Sequence, residues 1–462
     1  MRRLSLPLAI SLIFLAGITS AAAQPSGNED LIAKGKYLAL AADCGACHTS
    51  PQQGAPMAGG YAIHSPLGDI YASNITPSKS DGIGEYSEPE FARAVREGVD
   101  KQGRHLYPAM PYTAYNKISD EDIHALYFYF MHDVAPVDRA APQTHLPFPF
   151  SIRASMALWN LLFADSQRFT PRPDKSPEVN RGDYLVNALA HCDTCHTPRN
   201  FLMAQKNDLA FSGSSLGSWY APNITPDAQS GIGSWSRDEL ARYLKTGHIA
   251  KAQAAGPMAE AVEHGLAHLN EEDIQAITAY LRQIPAVNSG ADHPRDSYGQ
   301  PSDAEQRLRG QSGQRDPGWQ VFSGSCANCH QPQGQGNDRY PSLFHNSVTG
   351  AERPDNLISA ILFGVRRNEI AMPAFGPDAD FTNRLSDQQI ADVSNYVLKN
   401  FGNPAVTVTA ERVKQLREGG DTPLLVKLTR PTALIGILVA VVVVIAAGAV
   451  LRRRKRRLYA AH

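Results

Sequence analysis

Several chemistries are missing from this sequence. It has no dinucleotide-binding glycine fingerprint, no phosphate-binding loop and no nucleophile-elbow or triad signature. Those absences argue against a chain that makes or breaks bonds by itself, and no catalytic residue is assigned. Histidine and acidic residues outside the motifs below are scattered and read as surface or core. Alternating apolar runs of the kind that form strands are sparse, so the fold class is mostly α. Cysteine is scarce, six in 462 residues. Acid is absent from both ends: no Asp or Glu falls in residues 1–23 or 452–462.

What is present uses every cysteine. Three Cys-x-x-Cys-His runs stand at Cys44–His48, Cys192–His196 and Cys326–His330. A zinc ribbon needs two cysteine pairs per metal and no histidine fixed after each, and three pairs do not divide into four-cysteine sites. A thioredoxin-like redox pair would need a strand-to-helix context, and one pair would suffice. Simple disulfides give no reason for the histidines. The spacing is that of c-type haem attachment. The pairs Cys44 and Cys47, Cys192 and Cys195, and Cys326 and Cys329 are therefore expected to hold three covalent haem c groups. His48, His196 and His330 would reach the irons.

The ends fix an expected topology. Met1-Arg2-Arg3, an apolar run and Ala21-Ala22-Ala23 read as a cleaved secretory signal over 1–23. Residues 433–451 are nineteen without a charge, long enough at about 1.5 Å per residue to nearly match a hydrocarbon core of roughly 30 Å. The Val- and Ala-rich composition also leaves open a partly embedded helix packed on a partner. The basic tail, 452–462, belongs on the cytoplasmic side; beside an apolar span in an exported chain it does not suggest nucleic-acid binding. The expected topology is therefore haem domains outside the cytoplasmic membrane and a short basic tail inside. Between leader and tail, 36 basic residues face 45 acidic ones, which suits a partner with a basic docking face as well as it suits solubility alone.

An internal repeat sets the domains. Gly35-Lys36-Tyr37-Leu38 returns as Gly182-Asp183-Tyr184-Leu185, Asn74-Ile75-Thr76-Pro77 as Asn223-Ile224-Thr225-Pro226, Gly82-Ile83-Gly84 as Gly231-Ile232-Gly233, and Gly98 as Gly247, at offsets of 147 to 149 residues. The Asn-x-Thr-Pro segments read as structural loops. Three segments share an N-cap residue, a polar residue three later and a helical apolar stripe: Ser119 with Asp122, Asn270 with Asp273, and Ser386 with Gln389. Each such helix is expected to close its unit against the helix leading into the haem motif. The resulting division is haem domain 1 over 24–145, a linker over 146–177 with an apolar helix from Met156 to Phe163, domain 2 over 178–285, an extended surface linker over 286–315, domain 3 over 316–402, and a membrane-proximal linker over 403–432.

A haem that only carries electrons needs a sixth ligand, and thioether favours ferrous iron. Met110 lies 62 residues after His48, and Met258 lies 62 after His196. Met372 is the sole methionine after His330. Proline flanks all three, fixing the backbone beside each sulfur. Histidine is the competing ligand, with His105 near Met110, His264 and His268 near Met258, and His345 in the third unit. For the proximal imidazole of the third unit, Pro332 and Pro341 are candidate carbonyl partners.

With these motifs on the page, the chain resembles the three-haem cytochrome c subunits of bacterial membrane-bound alcohol, gluconate, sorbitol, fructose and aldehyde dehydrogenases. Trp159-Asn160-Leu161-Leu162-Phe163 and Tyr340-Pro341-Ser342-Leu343 add to the likeness. The resemblance implies three tandem cytochrome c-like domains plus a C-terminal transmembrane helix. It also implies a catalytic partner (quinoprotein, flavoprotein or molybdoenzyme) and delivery of its electrons to membrane ubiquinone. The clear C-terminal apolar run departs from relatives with weaker amphipathic anchors. Two rival readings are a peroxidase-like haem enzyme or sensor with one open iron, and a cytochrome feeding a terminal oxidase.

Overall fold

The computed structural model describes residues 27–51, 54–309, 315–337, 339–367, 370–377, 379–429 and 435. The expected leader (1–23), span (433–451, apart from Ile435) and basic tail lie outside them. Among the described residues no helix is long and apolar enough to cross a membrane.

Each unit is a pair of crossed helices with a haem motif after the first. The pairs are α1 (Gly27–Ala41) with α2 (Asp120–His132), α4 (Pro177–Tyr184) with α5 (Glu271–Leu281), and α6 (Pro317–Val321) with α8 (Asp387–Phe401). Between them come β1 (Ala62–Ser65) and β2 (Gly68–Tyr71), then α3 (Ser155–Phe163), β3 (Ser214–Leu216) and β4 (Trp219–Ala221), and α7 (Asp355–Phe363); α9 (Leu424–Leu428) follows α8. The described strands form only two-stranded antiparallel hairpins, so the mostly α expectation holds.

The second helix of each pair starts where the sequence placed it. Ser119, Asn270 and Ser386 accept from the backbone N–H groups of Asp122, Asp273 and Gln389. The stripes that follow are buried: Ile123, Leu126, Tyr129 and Phe130 in α2, with their counterparts in α5 and α8. The helices cross at a glycine. A methyl group at Gly35 would lie 2.0 Å from the Ala125 carbonyl oxygen, at Gly182 1.9 Å from that of Ala276, and at Gly318 2.2 Å from that of Asp392. Backbone meets backbone at each crossing, and only glycine leaves room for it.

The Asn-Ile-Thr-Pro loops are structural clasps. Asn74 donates to the Val137 and Arg139 carbonyls and accepts from Thr76, whose hydroxyl accepts from the Val137 N–H. Asn223 and Thr225 repeat this on Val287. Each clasp ties the loop to the chain leaving the unit's last helix.

Units 1 and 2 share one hydrophobic core, while unit 3 has its own. The first two meet by a reciprocal exchange. Tyr37 donates to Asp273 at 2.6 Å, and its repeat mate Tyr184 donates to Asp122 at 2.6 Å. Each tyrosine oxygen accepts an N–H from the other unit's N-cap, Asn270 or Ser119, at 3.2 Å. Each acid also holds a cation from its own unit: Arg181 on Asp273 at 2.7 Å and Lys34 on Asp122 at 2.9 Å. Residue i meets j and j meets i, which is the signature of a twofold relation. It also explains a difference from the expected capping boxes. Gln389 does bond back to the Ser386 N–H, whereas Asp122 and Asp273 are engaged across the seam.

Unit 3 docks on the β3–β4 hairpin of unit 2. Asn356 of α7 exchanges hydrogen bonds with the Tyr220 backbone at 2.9 and 2.8 Å, as a strand would. The Arg353 guanidinium lies 4.7 Å over the Tyr220 ring.

Two linker expectations need correction. Residues 286–315 are not wholly a surface connection: Ala304–Arg309 is helical, and Ala304 enters the core of unit 3. The neighbouring Glu305 is buried and accepts from Arg309 and Ser323. The first part of 403–432 likewise belongs to unit 3. A helix over Ala410–Arg417 buries Val413 and Leu416 against α7 and α8, a spacing of one helical face too short to stand out in the sequence.

Candidate haem-attachment sites

Each motif is folded as a short helical turn: Cys44–His48, Cys192–His196 and Ala327–His330. Cysteines three apart on such a turn share a face. The entry into the turn is abrupt. Asp43 and His191, immediately before the first cysteine, are left-handed, with φ of 52° and 39°. In units 2 and 3 the leading helix passes through a π-helical turn, Leu185–Leu189 and Phe322–Cys326, a local widening common near functional groups. All six thiols are free of disulfides.

The histidines share one geometry. His48 Nδ1 lies 2.6 Å from the Ser73 carbonyl oxygen, His196 Nδ1 2.7 Å from that of Pro222, and His330 Nδ1 2.9 Å from that of Pro341. A carbonyl can only accept, so Nδ1 carries the proton and Nε2 keeps its lone pair. Burial lowers the basicity of all three, against the raising effect of the carbonyl, and brings His196 to about 4. They are neutral imidazoles, oriented and unprotonated at Nε2, as a metal requires. Each histidine's own carbonyl accepts from a glycine N–H: Gly59, Gly213 or Gly336.

Of the carbonyls, only Pro341 was among the sequence candidates; Pro332 is not used. Ser73 and Pro222 were missed, although each stands one residue before an Asn-Ile-Thr-Pro loop. That constant position is the signal that would have found them.

Burial pushes the Cys44, Cys192 and Cys326 thiols up to about 12, and Cys47 and Cys195 to about 11. These are apolar attachment points rather than thiolate nucleophiles. A cavity of about 2410 Å³ covers the first site and is lined by Cys44, Cys47, His48 and Met110. Drug-sized ligand pockets run to about 1,000 Å³, so a large planar cofactor fits. The residues thus suit covalent haem in donor type, tautomer and space.

The structure places the three methionines differently. Met110 shares the His48 cavity, in a turn pinned by Pro108 and Pro111. Met258 sits in the first turn of a helix, Pro257–His264, against the shared core of units 1 and 2. Met372 ends a hairpin strand and packs on the core of unit 3. Equal spacing in the repeat therefore does not carry equal local structure. Of the competing histidines, His268 is held by the Glu263 carbonyl at 2.9 Å, while His105 lies beside Asn160.

The first two motifs meet at the twofold seam. The Ala42 carbonyl accepts from the Tyr115 hydroxyl at 2.6 Å. The Tyr115 and His191 rings are edge-to-face at 5.6 Å. Asp43 is close enough to raise both Cys47 of its own motif and Cys195 of the next. Burial and the nearby Glu260 bring the Asp43 carboxyl itself up to about 7. None of these seam contacts was visible in the sequence, since their partners lie more than 70 residues apart.

Paired crossed helices around a Cys-x-x-Cys-His turn, with a carbonyl-held imidazole, define the class of c-type cytochrome domains. The comparison with known proteins agrees. The cytochrome c family model matches three times, over residues 32–132, 179–285 and 316–400, and the chain belongs to that family. It is 46% identical over 471 residues to a fructose dehydrogenase cytochrome subunit of Gluconobacter japonicus, covering 95% of this chain and 96% of the relative. A gluconate 2-dehydrogenase cytochrome c subunit of Pantoea cypripedii is 41% identical over 428 residues, 86% and 92% of the two chains. A quinone-type alcohol dehydrogenase cytochrome c subunit of Gluconobacter oxydans is 38% identical over 432 residues, 89% and 87%.

Proposed function

We propose that the chain is a tri-haem electron conduit. It takes electrons from a partner dehydrogenase acting on a sugar or alcohol and passes them to ubiquinone from the periplasmic face of the membrane. The observation that carries this is the threefold imidazole–carbonyl geometry, with two of the three motifs brought together at one seam. Covalent haem supplies reversible one-electron chemistry at each site. The chain's own groups do the rest. Ser73, Pro222 and Pro341 hold the proton on Nδ1 of His48, His196 and His330, so Nε2 is the atom each would offer to the iron. The thioethers of Met110, Met258 and Met372 are the residues that would serve as further ligands to the haems and would keep small molecules from the metal. The seam ties the segments carrying the first two motifs together, so that groups bound there would be held at a fixed separation.

The partner is a quinoprotein, flavoprotein or molybdoenzyme subunit. The dehydrogenase relatives support this reading, and so does the excess of acid on the exported portion. The membrane reading rests on the leader, the apolar run and the basic tail. The test uses the full chain matured in haem-competent cells. Its mass should exceed that of the polypeptide by three haem groups. It should be reduced only when its dehydrogenase and that enzyme's substrate are both present, and should then reduce a ubiquinone analogue. Oxidation of substrate by the isolated chain with soluble acceptors would refute the subunit role.

A further inference from the structure

A cation of the linker between units 2 and 3 has no charged partner. Arg295 is half-buried. Both of its hydrogen bonds come from Nη1, to the carbonyls of Asn223 at 3.2 Å and Ser230 at 3.4 Å. Among the described residues its Nη2 and Nε have no acceptor, and no carboxylate pairs with it. The neighbouring Asp296 is taken by Lys251 at 3.1 Å and by the Ser234 hydroxyl at 3.1 Å. Burial opposes the charge and lowers the basicity of the guanidinium. A guanidinium in such a place is suited to a planar oxyanion in its fork.

The residues it leans on belong to the wall of the second haem site. Asn223 and Ser230 stand 149 residues after Asn74 and Asp81, and both of those line the cavity around Cys44, Cys47 and His48. Asn223 also follows Pro222, whose carbonyl holds His196, and Arg295 is close enough to His196 to disfavour its protonation. Trp235 is on the same wall, since Tyr86, 149 residues earlier, lines the first cavity. Trp235 is 4% exposed, and its Nε1 has no acceptor. Donors of two side chains thus lack an oxygen that the protein does not supply.

Haem carries two propionate carboxylates. We propose that Arg295, with Trp235, seats a propionate of the second haem and that its charge raises the midpoint potential there. This rests on the tri-haem reading above and goes beyond it. A cation beside the site disfavours the ferric state, which carries one more positive charge than the ferrous. The linker delivers this charge, and unit 3 holds it in place. A methyl group at Gly350 would lie 1.9 Å from the Arg295 carbonyl oxygen, so backbone passes over backbone there. Three residues on, the Tyr298 carbonyl accepts from the His345 N–H at 2.8 Å. Docking of unit 3 therefore fixes a charge at the site of unit 2.

The test uses the full-length holoprotein in detergent, its haem count first established by mass. Midpoints are read by optical redox titration of the haem absorption at fixed pH and ionic strength. Arg295→Gln should move one of three midpoints to lower potential and leave the other two in place. Arg295→Lys keeps the charge but loses the planar fork, and should move the same midpoint the same way by less. Trp235→Phe removes the N–H donor and should lower it as well. These two variants carry the prediction if Arg295→Gln does not mature. Three unmoved midpoints, or three that fall together, would overturn the assignment and leave the tri-haem reading standing. A wild-type midpoint that shifts when phosphate replaces chloride at constant ionic strength, a shift absent from Arg295→Gln, would show a solvent anion in the seat and overturn it too. A wild-type chain with fewer than three haems removes the tri-haem reading and this assignment together.

Discussion

Gly182→Ala is the sharpest test of the helix crossing. In an ordinary helix this change stabilises by about 1 kcal/mol, because alanine loses less backbone freedom. At this crossing the new methyl would sit 1.9 Å from the Ala276 oxygen, 2.6 Å from its carbon and 2.7 Å from Tyr280 Cβ. Two of those three atoms are backbone, so no rotamer change clears them. Normal carbon contacts are about 3.5–4.0 Å, and α4 and α5 must part by more than about 1 Å. That separation opens the contacts of Leu185, Leu189, Ile274 and Ile277, all fully buried. Overpacking typically costs about 1–3 kcal/mol, and a backbone clash sits at the top of that range. Net of propensity, a loss of about 2–3 kcal/mol is expected. In the jointly packed block of units 1 and 2 this lowers the melting temperature by about 5–10 °C. Differential scanning calorimetry on holoprotein measures it, with Gly27→Ala as a control where a methyl meets nothing within 4 Å. A Gly182→Ala protein melting at or above wild type would refute the reasoning. Gly35→Ala and Gly318→Ala should follow the same pattern in their own units.

Other outcomes follow from the seam and the sites. Tyr37→Phe and Tyr184→Phe each remove a hydrogen bond to a carboxylate, worth about 1.5–3 kcal/mol. Urea denaturation should show similar losses for the two, as the twofold relation requires. Burial pushes the Asp273 carboxyl up, but the hydrogen bonds from Arg181 and Tyr37 outweigh it and hold the group below the ordinary aspartate range. As pH falls, the unfolded chain therefore takes up the proton first. The stability Asp273 contributes is complete above about pH 4 and fades as the folded carboxyl protonates. Asp273→Asn should accordingly be destabilising at pH 7, and its gap to wild type should narrow in denaturation series run below pH 4. Met110→Ala should let the reduced protein bind one equivalent of carbon monoxide, measured by its Soret shift, where wild type binds none. Binding by wild type would point to an open iron instead.

Local features of the fold were legible because they repeat. The N-caps at Ser119, Asn270 and Ser386, the apolar stripes behind them, and the helix from Met156 to Phe163 are all encoded within a few residues. Long-range features were not. Asp122 and Asp273 read as capping acids, yet they serve the other unit's tyrosine, because the seam joins residues far apart in the chain. The Ala410–Arg417 helix looked like linker because only two of its residues, Val413 and Leu416, are deeply buried. At the haem sites, cysteines and histidines announce themselves by spacing. The carbonyls that orient the histidines are marked only by position, as one residue before the Asn-Ile-Thr-Pro loop in units 1 and 2, since any residue can supply one. Gly318 escaped notice for a related reason: its unit has diverged too far for Gly-x-Tyr-Leu to survive as a motif.

The Tyr37–Asp273 and Tyr184–Asp122 exchange is the kind of self-complementary face by which two identical chains close into a pair. Here both halves sit on one polypeptide, so their association is intramolecular and dilution cannot undo it. Covalent union also released the halves from having to stay identical. At matching places before the two haem motifs, one half now carries the acid Asp43 and the other the imidazole His191. Two cofactors held by copies of one scaffold can thereby experience unequal surroundings, which no assembly of identical chains could give them.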